Sequence, residues 1–394
     1  MKPLRVVIVH QGEDLPSDDG YEPLRYGRLA LALREHGAHV TRISPSFSHF
    51  RRAQHLEPCT TSDEGDHVVV PTVGYGASIS KDRAIFTRQL IAGASAYVRE
   101  HRSDIDVVVA GMPPSGLVTA LRRAGGSELA IIADIRDLWP DALAVGDRKK
   151  LAPLFELFGR AFSQEVRQAN AVTAVTDVMR DWAPASMSAE TIPIGMRIRH
   201  VDDSKRPGAD VGLRAGFISN HTHGFDFDVL LEGWRQFAEP LHGQHDEPRF
   251  AFIGATPTTS RAQSLLDKEP TIESLGTIAP AEVANTLGGF DIGVSPSTPE
   301  WEYSLGNKIF DYLSVGQFVL HSLEASTSAA LDNASLGQHV ERTADAWRDA
   351  FREAHDRRAQ LRAERARRIE VADELFGQSA TSGRFIELME SLVR

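Results

Sequence analysis

One segment, Ser304-Leu305-Gly306-Asn307-Lys308-Ile309-Phe310-Asp311-Tyr312-Leu313-Ser314-Val315-Gly316, concentrates residue types that bind anions. Ser304 or Asn307 can cap a helix whose Ile309, Phe310 and Leu313 face a core, with Gly316 as its stop. Lys308, Asp311 and Val315 then share the opposite face by i, i+3, i+7 spacing. A helix N-terminus presents backbone N–H groups and partial positive charge, which suits a diphosphate. Lys308 would add a full charge, and Asp311, one turn on, could accept hydrogen bonds from ribose hydroxyls. The same spacing also describes an ordinary surface Lys–Asp pair, worth about 0.3 kcal/mol. His221-Thr222-His223 could offer two imidazoles to a metal, but no third ligand stands nearby. Asp104-Ile105-Asp106 and Asp226-Phe227-Asp228 match an Asp-x-Asp pattern, yet each lies at a strand or helix boundary where acids are ordinary. No metal is expected.

The elements that must position these groups follow a βαβ alternation. Arg5–Val9 reads as a buried first strand, Leu24–Glu35 as a helix and Ala38–Ile43 as a second strand. Residues 81–100 carry Phe86, Leu90, Ala94 and Val98 at helical spacing. Strands are expected at Asp106–Ala110, Ala130–Ala133 and Ala171–Val175, with helices at Leu117–Arg123 and Val178–Trp182. A second series begins at Ala215–Ile218 and continues through helix Asp228–Phe237, strands Phe250–Ile253 and Ile292–Val294, helix Asn307–Ser314 and strand Phe318–Leu320. Such sheets place ligands in loops at the carboxyl ends of their strands. In the first half that loop is residues 10–20, which contain Gly12 and Gly20.

Composition narrows the classes. The chain has 394 residues, 43 Lys or Arg against 54 Asp or Glu, and a formal charge of −11. That balance argues against nucleic acid as a polymer partner. One cysteine, Cys59, excludes a disulfide framework and a cysteine-built metal site. Neither half shows Gly-x-Gly-x-x-Gly after its first strand, so a dinucleotide cofactor is not expected. Val6–Val9 is far too short for a signal peptide or a membrane span, and a cytoplasmic location is expected. Between 345 and 375, Arg357, Arg358, Arg362, Arg365, Arg367 and Arg368 alternate with Glu364 and Glu370. This run reads as a solvated, ion-paired helix face, or as a patch for anionic lipid on the inner membrane surface.

Ser304–Gly316, following Asp291-Ile292-Gly293-Val294-Ser295-Pro296, resembles the donor-binding segment of GT-B glycosyltransferases of family 4, more narrowly the bacterial polysaccharide and O-antigen type. Arg25-Tyr26 with Leu29-Ala30, and His39-Val40-Thr41 leading to Ser46-Phe47-Ser48-His49, are similar to that subgroup's first βαβ unit. Ile135-Arg136-Asp137-Leu138-Trp139-Pro140-Asp141 resembles its Arg-Asp-Leu-Trp-Pro motif, and Val172–Thr176 with Ile192-Pro193-Ile194-Gly195 fits the end of its first domain. The likeness covers most of the chain in order.

It implies an α/β chain of GT-B type, two Rossmann-like parallel-sheet domains facing a central cleft, divided as 1–190, 191–375 and a C-terminal helix 376–394 packing back on the first domain. The implied reaction moves a sugar from a nucleotide diphosphate donor, expected to be a UDP-sugar, to a saccharide, lipid-linked or small-molecule hydroxyl. It needs no cofactor or metal and retains the anomeric configuration. Donor contacts fall on Tyr303, Ser304, Gly306, Asn307, Lys308 and Asp311. Acceptor-side contacts fall on Gly12, Gly20, Arg25, His49 and Arg136, with Asp137 orienting or deprotonating the acceptor hydroxyl.

Two departures stand out. The family's paired acids lie eight positions apart, and eight before Asp311 is Tyr303, with Glu302 beside it. The Arg and Lys common after the second domain's first strand are replaced by Ser219-Asn220-His221-Thr222-His223-Gly224, which leaves Arg261 as the candidate cation. These departures keep open a GT-B epimerase or hydrolase, and a silent module that binds a nucleotide sugar or a partner transferase. Sequence does not set the oligomeric state.

Overall fold

A computed structural model describes residues 3–18, 21–49, 51–55, 61–77, 80–137 and 148–394. The chain divides into two units, residues 1–194 with 378–394, and residues 195–377.

Unit 1 is built on β1 (Arg5–Val9), α1 (Arg25–Glu35), β2 (His39–Pro45), β3 (Gly65–Val70), α2 (Lys81–Glu100), β4 (Val107–Met112), α3 (Leu117–Gly125), β5 (Ala130–Ile135), α4 (Arg148–Val166), β6 (Ala171–Ala174) and β7 (Ser188–Thr191). Its parallel sheet runs β7-β6-β5-β4-β1-β2-β3, with a two-residue antiparallel strand, Thr61–Ser62, at the β3 edge. β4 and β5 are buried along their whole length, as continuous apolar strands covered on both faces must be. Against this sheet Tyr26, Leu29 and Leu33 of α1 pack with Phe385, Leu388 and Met389 from the last helix of the chain, Gln378–Val393.

Unit 2 contains β8 (Arg214–Ser219), α5 (Phe227–Ala238), β9 (Arg249–Gly254), α6 (Ser260–Lys268), β10 (Ile272–Gly276), β11 (Ile292–Ser295), α7 (Asn307–Ser314), β12 (Phe318–His321), β13 (Gly337–His339), α8 (Ala344–Asp356) and α9 (Arg365–Phe376). All six strands are parallel, in the order β10-β9-β8-β11-β12-β13. Phe217, Phe250 and Phe252 meet Trp234 of α5 and Trp347 and Phe351 of α8 in its core. Each sheet therefore reverses its strand order once. The reversal lies between β1 and β4 in unit 1 and between β8 and β11 in unit 2, the places where open α/β sheets bind ligands.

The arginine-rich run is neither a fully solvated face nor a free basic patch. Arg362 and Arg365 both reach the buried carboxylate of Asp291, at 2.8 and 3.1 Å. Arg362 also donates to the carbonyls of Gly208 and Gly212, Arg365 to Gly288 and Phe290, and buried Arg368 to Gly316. A planar guanidinium with five donors can tie several carbonyls at once, so these arginines clamp α9 and the short helix before it, Arg358–Ala363, to Asp291 and the surrounding backbone. Arg357 and Arg358 pair with Glu353 and Asp246. Among the described residues, no helix is long and apolar enough to cross a membrane.

Candidate functional site

Four helices begin at the two sheet reversals, and the chain's own carboxylates close three of them. In unit 1, Glu13 accepts from the Tyr26 and Gly27 amides at the start of α1 (2.8 and 2.9 Å). Glu165 accepts from the Gly116 and Val118 amides at the start of α3 (2.7 and 2.8 Å). In unit 2, Asp226 caps α5 through the Val229 amide. α7 differs: its N-cap is Gly306, which has no side chain to offer, and among the described residues no side-chain hydrogen bond to its first-turn amides is seen. That corrects the expected cap, since Ser304 lies in the preceding turn and Asn307 is already helical. A helix start without a cap keeps its donors and partial positive charge available.

Local packing fixes where α7 points. β8 and β11 pair only through Ala215–Ile292 and Gly216–Gly293, and then part. The Tyr312 hydroxyl fills the split, accepting from the Ile218 amide (3.1 Å) and donating to the Val294 carbonyl (3.2 Å). Lys308, one turn earlier on the same helix side, is thereby carried over the end of β8. The helix ends at Gly316, which has φ +79 and where a Cβ would meet the Arg365 carbonyl at 2.7 Å.

Lys308 is not on the solvent-facing side that the spacing implied. Its Nζ lies 3.3 Å from the centre of the Phe225 ring and 4.3 Å from that of Phe217. The ammonium is buried, with no hydrogen-bond partner, and desolvation pushes its pKa well below the usual lysine value. A cation–π contact returns only part of what hydration gives an ammonium. The β8–α5 loop wraps this group. His221 stacks on His223 (4.1 Å) and Phe225 (5.7 Å), and His223 meets the edge of Trp301. Gly224, at φ +84, lies so close to Trp301 that a Cβ would clash with the indole at 2.7 Å. Burial, His223 and Lys308 together push the His221 pKa down to about 4, so it is neutral at pH 7. Lys308 thus places its amine over the end of β8, beside a loop that itself carries no Arg or Lys.

The remaining donor-side candidates are spread around α7. Asp311 faces Arg199 at 3.6 Å. Tyr303 is half-buried in the turn before the helix, and Glu302 is taken by an ion pair with Arg342. Arg261 stands on α6 with its side chain largely exposed and 3.7 Å from Glu232, so a surface acid holds it.

In unit 1, Arg136 and Asp137 follow β5. The Arg136 guanidinium lies over the Tyr26 ring (5.3 Å) and 3.9 Å from Glu13. Crowding by protein raises the Asp137 pKa against the pull of Arg136, but the residue is solvent-exposed and water screens that shift. Leu138, Trp139, Pro140 and Asp141 of the same motif, and Gly20, lie outside the described residues. Gly12 has open space around its Cα. His49 shares a hydrogen bond with the Tyr75 hydroxyl (2.5 Å).

Arg25 must be reassigned. It is buried, forms a bidentate pair with Asp134 (2.9 and 2.7 Å) and donates to the Pro193 carbonyl, with Phe385 against its face. Asp134 also accepts from Tyr26 and Thr173. Arg25 is thus a structural latch, buried and with three of its five N–H donors committed inside the fold.

The Asp-x-Asp acids have local partners. Asp104 and Asp106 pair with Arg5, Asp226 caps α5, and Asp228 accepts from Thr259. Among the described residues, no three His, Cys, Asp or Glu groups converge to hold a metal.

Residue types alone hid three features of the sites. Nothing in the sequence marks Glu13 and Glu165 as closing helix starts, or Phe225 as lying under Lys308. Only the Phe217-Ile218-Ser219 strand end followed by Phe225 hinted at rings near the β8 terminus.

No protein-family model matches the chain, and no curated protein matches it. Solved structures do match. A glycosyltransferase from Rickettsia africae ESF-5 aligns over all of both chains, with TM-score 0.68 and 14% identity. HepE from Anabaena, in complex with UDP, aligns over 98% of this chain and 100% of its own, with TM-score 0.68 and 12% identity. A UDP-forming trehalose-phosphate synthase from Burkholderia xenovorans covers 99% and 100%, with TM-score 0.62 and 14% identity. At this identity the likeness shows the fold, which is GT-B.

Proposed function

We propose that this chain is a glycosyltransferase that moves a sugar from a nucleotide diphosphate donor to a hydroxyl acceptor. The observation that carries this reading is the buried amine of Lys308, without a hydrogen-bond partner among the described residues, on a helix at the reversal of unit 2 whose N-cap is a glycine. A diphosphate supplies what both lack. Its oxygens accept from the first-turn amides of α7, and Lys308 leaves the Phe225 ring to neutralise the leaving group. UDP is the nucleotide of choice, since HepE and the E. coli trehalose-6-phosphate enzyme were solved with UDP or a UDP-sugar. Asp311 takes the ribose hydroxyls, sharing them with Arg199. Unit 1 receives the acceptor, whose hydroxyl Asp137 orients. Family 4, its bacterial polysaccharide subgroup, retention at the anomeric carbon and independence from metal belong to the same reading, on the strength of the motif order.

A second reading has its own support. No carboxylate stands eight residues before Asp311, and the neighbouring Glu302 is consumed by Arg342. A module that binds the nucleotide sugar without transferring it fits that loss, and a hydrolase or epimerase would act without an acceptor. Nucleotide release from UDP-, GDP- and dTDP-sugars, with and without a saccharide and lipid acceptor mixture, separates the three. Acceptor-dependent release supports the transferase, and acceptor-independent release the hydrolase or epimerase. Donor binding with no release under any condition identifies the silent module.

A further inference from the structure

In unit 1, Arg83 has a buried guanidinium nitrogen without a hydrogen-bond partner. Gln11, just past β1, donates to the Pro113 carbonyl beyond β4 (3.1 Å) and accepts from the Arg83 guanidinium (2.9 Å). Arg83 is thereby tied to the sheet reversal. Its guanidinium lies over Tyr75 (4.4 Å) and Phe86 (5.0 Å), and its Nη1 is buried with no hydrogen-bond partner. Arg52, held in a left-handed backbone conformation (φ 54), brings a second guanidinium to the same Tyr75 ring at 5.1 Å.

Two like charges share one ring, and the acids nearby are occupied. Asp14 binds Ser48 and Arg51, and Asp18 binds His55 and the Leu15 amide. Burial and Arg52 push the Arg83 pKa down to about 10, with no opposing carboxylate among the described residues. His49, on the other side of Tyr75, is pushed down to about 4 and is neutral at pH 7. All these residues follow the carboxyl ends of β1, β2 and β3 or open α2, the side on which such sheets bind ligands.

The geometry points to an anion subsite at which Arg83 and Arg52, over Tyr75, hold a phosphate ester carried by the acceptor. Two guanidiniums match a phosphate dianion in charge, and a planar fork bonds its oxygens in pairs. The word acceptor rests on the functional reading above; the anion subsite does not. A sugar phosphate and the phosphate of a lipid carrier present the same group.

The full chain should be titrated with inorganic phosphate, with glucose 6-phosphate against glucose, and with phosphatidylcholine vesicles containing polyprenyl phosphate against plain vesicles. UDP is titrated in parallel. A phosphate probe should bind about tenfold or more tighter than its neutral counterpart, and Arg83→Met and Arg52→Ala should each remove about that factor with UDP affinity unchanged. The glucose 6-phosphate and vesicle arms tell a soluble ester from a lipid carrier. If Arg83→Met fails to fold, exposed Arg52 decides the result through Arg52→Ala. The subsite is overturned if no phosphate probe outbinds its neutral counterpart, or if Arg52→Ala leaves phosphate binding intact. Loss of UDP binding alone would instead sink the donor reading and leave this subsite standing.

Discussion

At the residue scale, Lys308 is a charge held where folding gains little from it. Its folded pKa lies below the unfolded value near 10.4, so the unfolded chain binds the extra proton between those two values. The penalty is fully present below the folded pKa and disappears as pH rises past the unfolded one. Lys308→Met should therefore stabilise the ligand-free protein by about 1 kcal/mol or more, raising its melting temperature by about 2–4 °C, with the gain vanishing above pH 10.5. Scanning calorimetry across pH measures this, and a destabilised variant would show that the amine supports the fold. Bound diphosphate raises the same pKa, so nucleotide binding should take up protons at pH values above the free-state pKa. Calorimetry in two buffers of different ionisation enthalpy reads that uptake directly. The sequence made Lys308 a candidate through spacing and the family resemblance, but it could not show the Phe225 ring beneath it, because that ring arrives from another strand's loop.

At the element scale, the carboxylate plugs distinguish the two sheets. Glu165→Ala leaves two amides at the start of α3 without partners, at a cost of about 2–3 kcal/mol. Urea denaturation should show that loss, with UDP affinity unchanged because α7 lies in the other unit. Most strands were legible from short apolar runs, and Asn307–Ser314 from its core face and terminal glycine. The strands that escaped are those whose sequences lack such runs. Asp66 and His67 interrupt Gly65–Val70, Ser188–Thr191 is half-exposed at a sheet edge, Ile272–Gly276 is exposed along most of its length, and Gly337–His339 has no apolar residue at all. The arginine run misled for a related reason. Charge alternation marks a solvated face only when nothing inside needs donors, and here Asp291 and a row of carbonyls do. Asp291→Asn would leave Arg362 and Arg365 without their counter-charge, with an expected loss of about 3–5 kcal/mol in urea denaturation of the full chain.

At the scale of the whole molecule, two units of like architecture have been put to different use. In unit 1 both helix starts at the sheet reversal are filled by Glu13 and Glu165, and a pair of arginines stands nearby over Tyr75. In unit 2 one helix start stays open with Lys308 behind it. The net charge of −11 argues against an extended anionic polymer without bearing on sites this small. The most direct test is calorimetric titration of UDP into the wild type and Lys308→Met, both checked for native folding. Binding to the wild type, weakened about thirtyfold or more in the variant, is the expected result. Equal affinity in the two proteins, or no binding to the wild type, would contradict a nucleotide diphosphate site at α7.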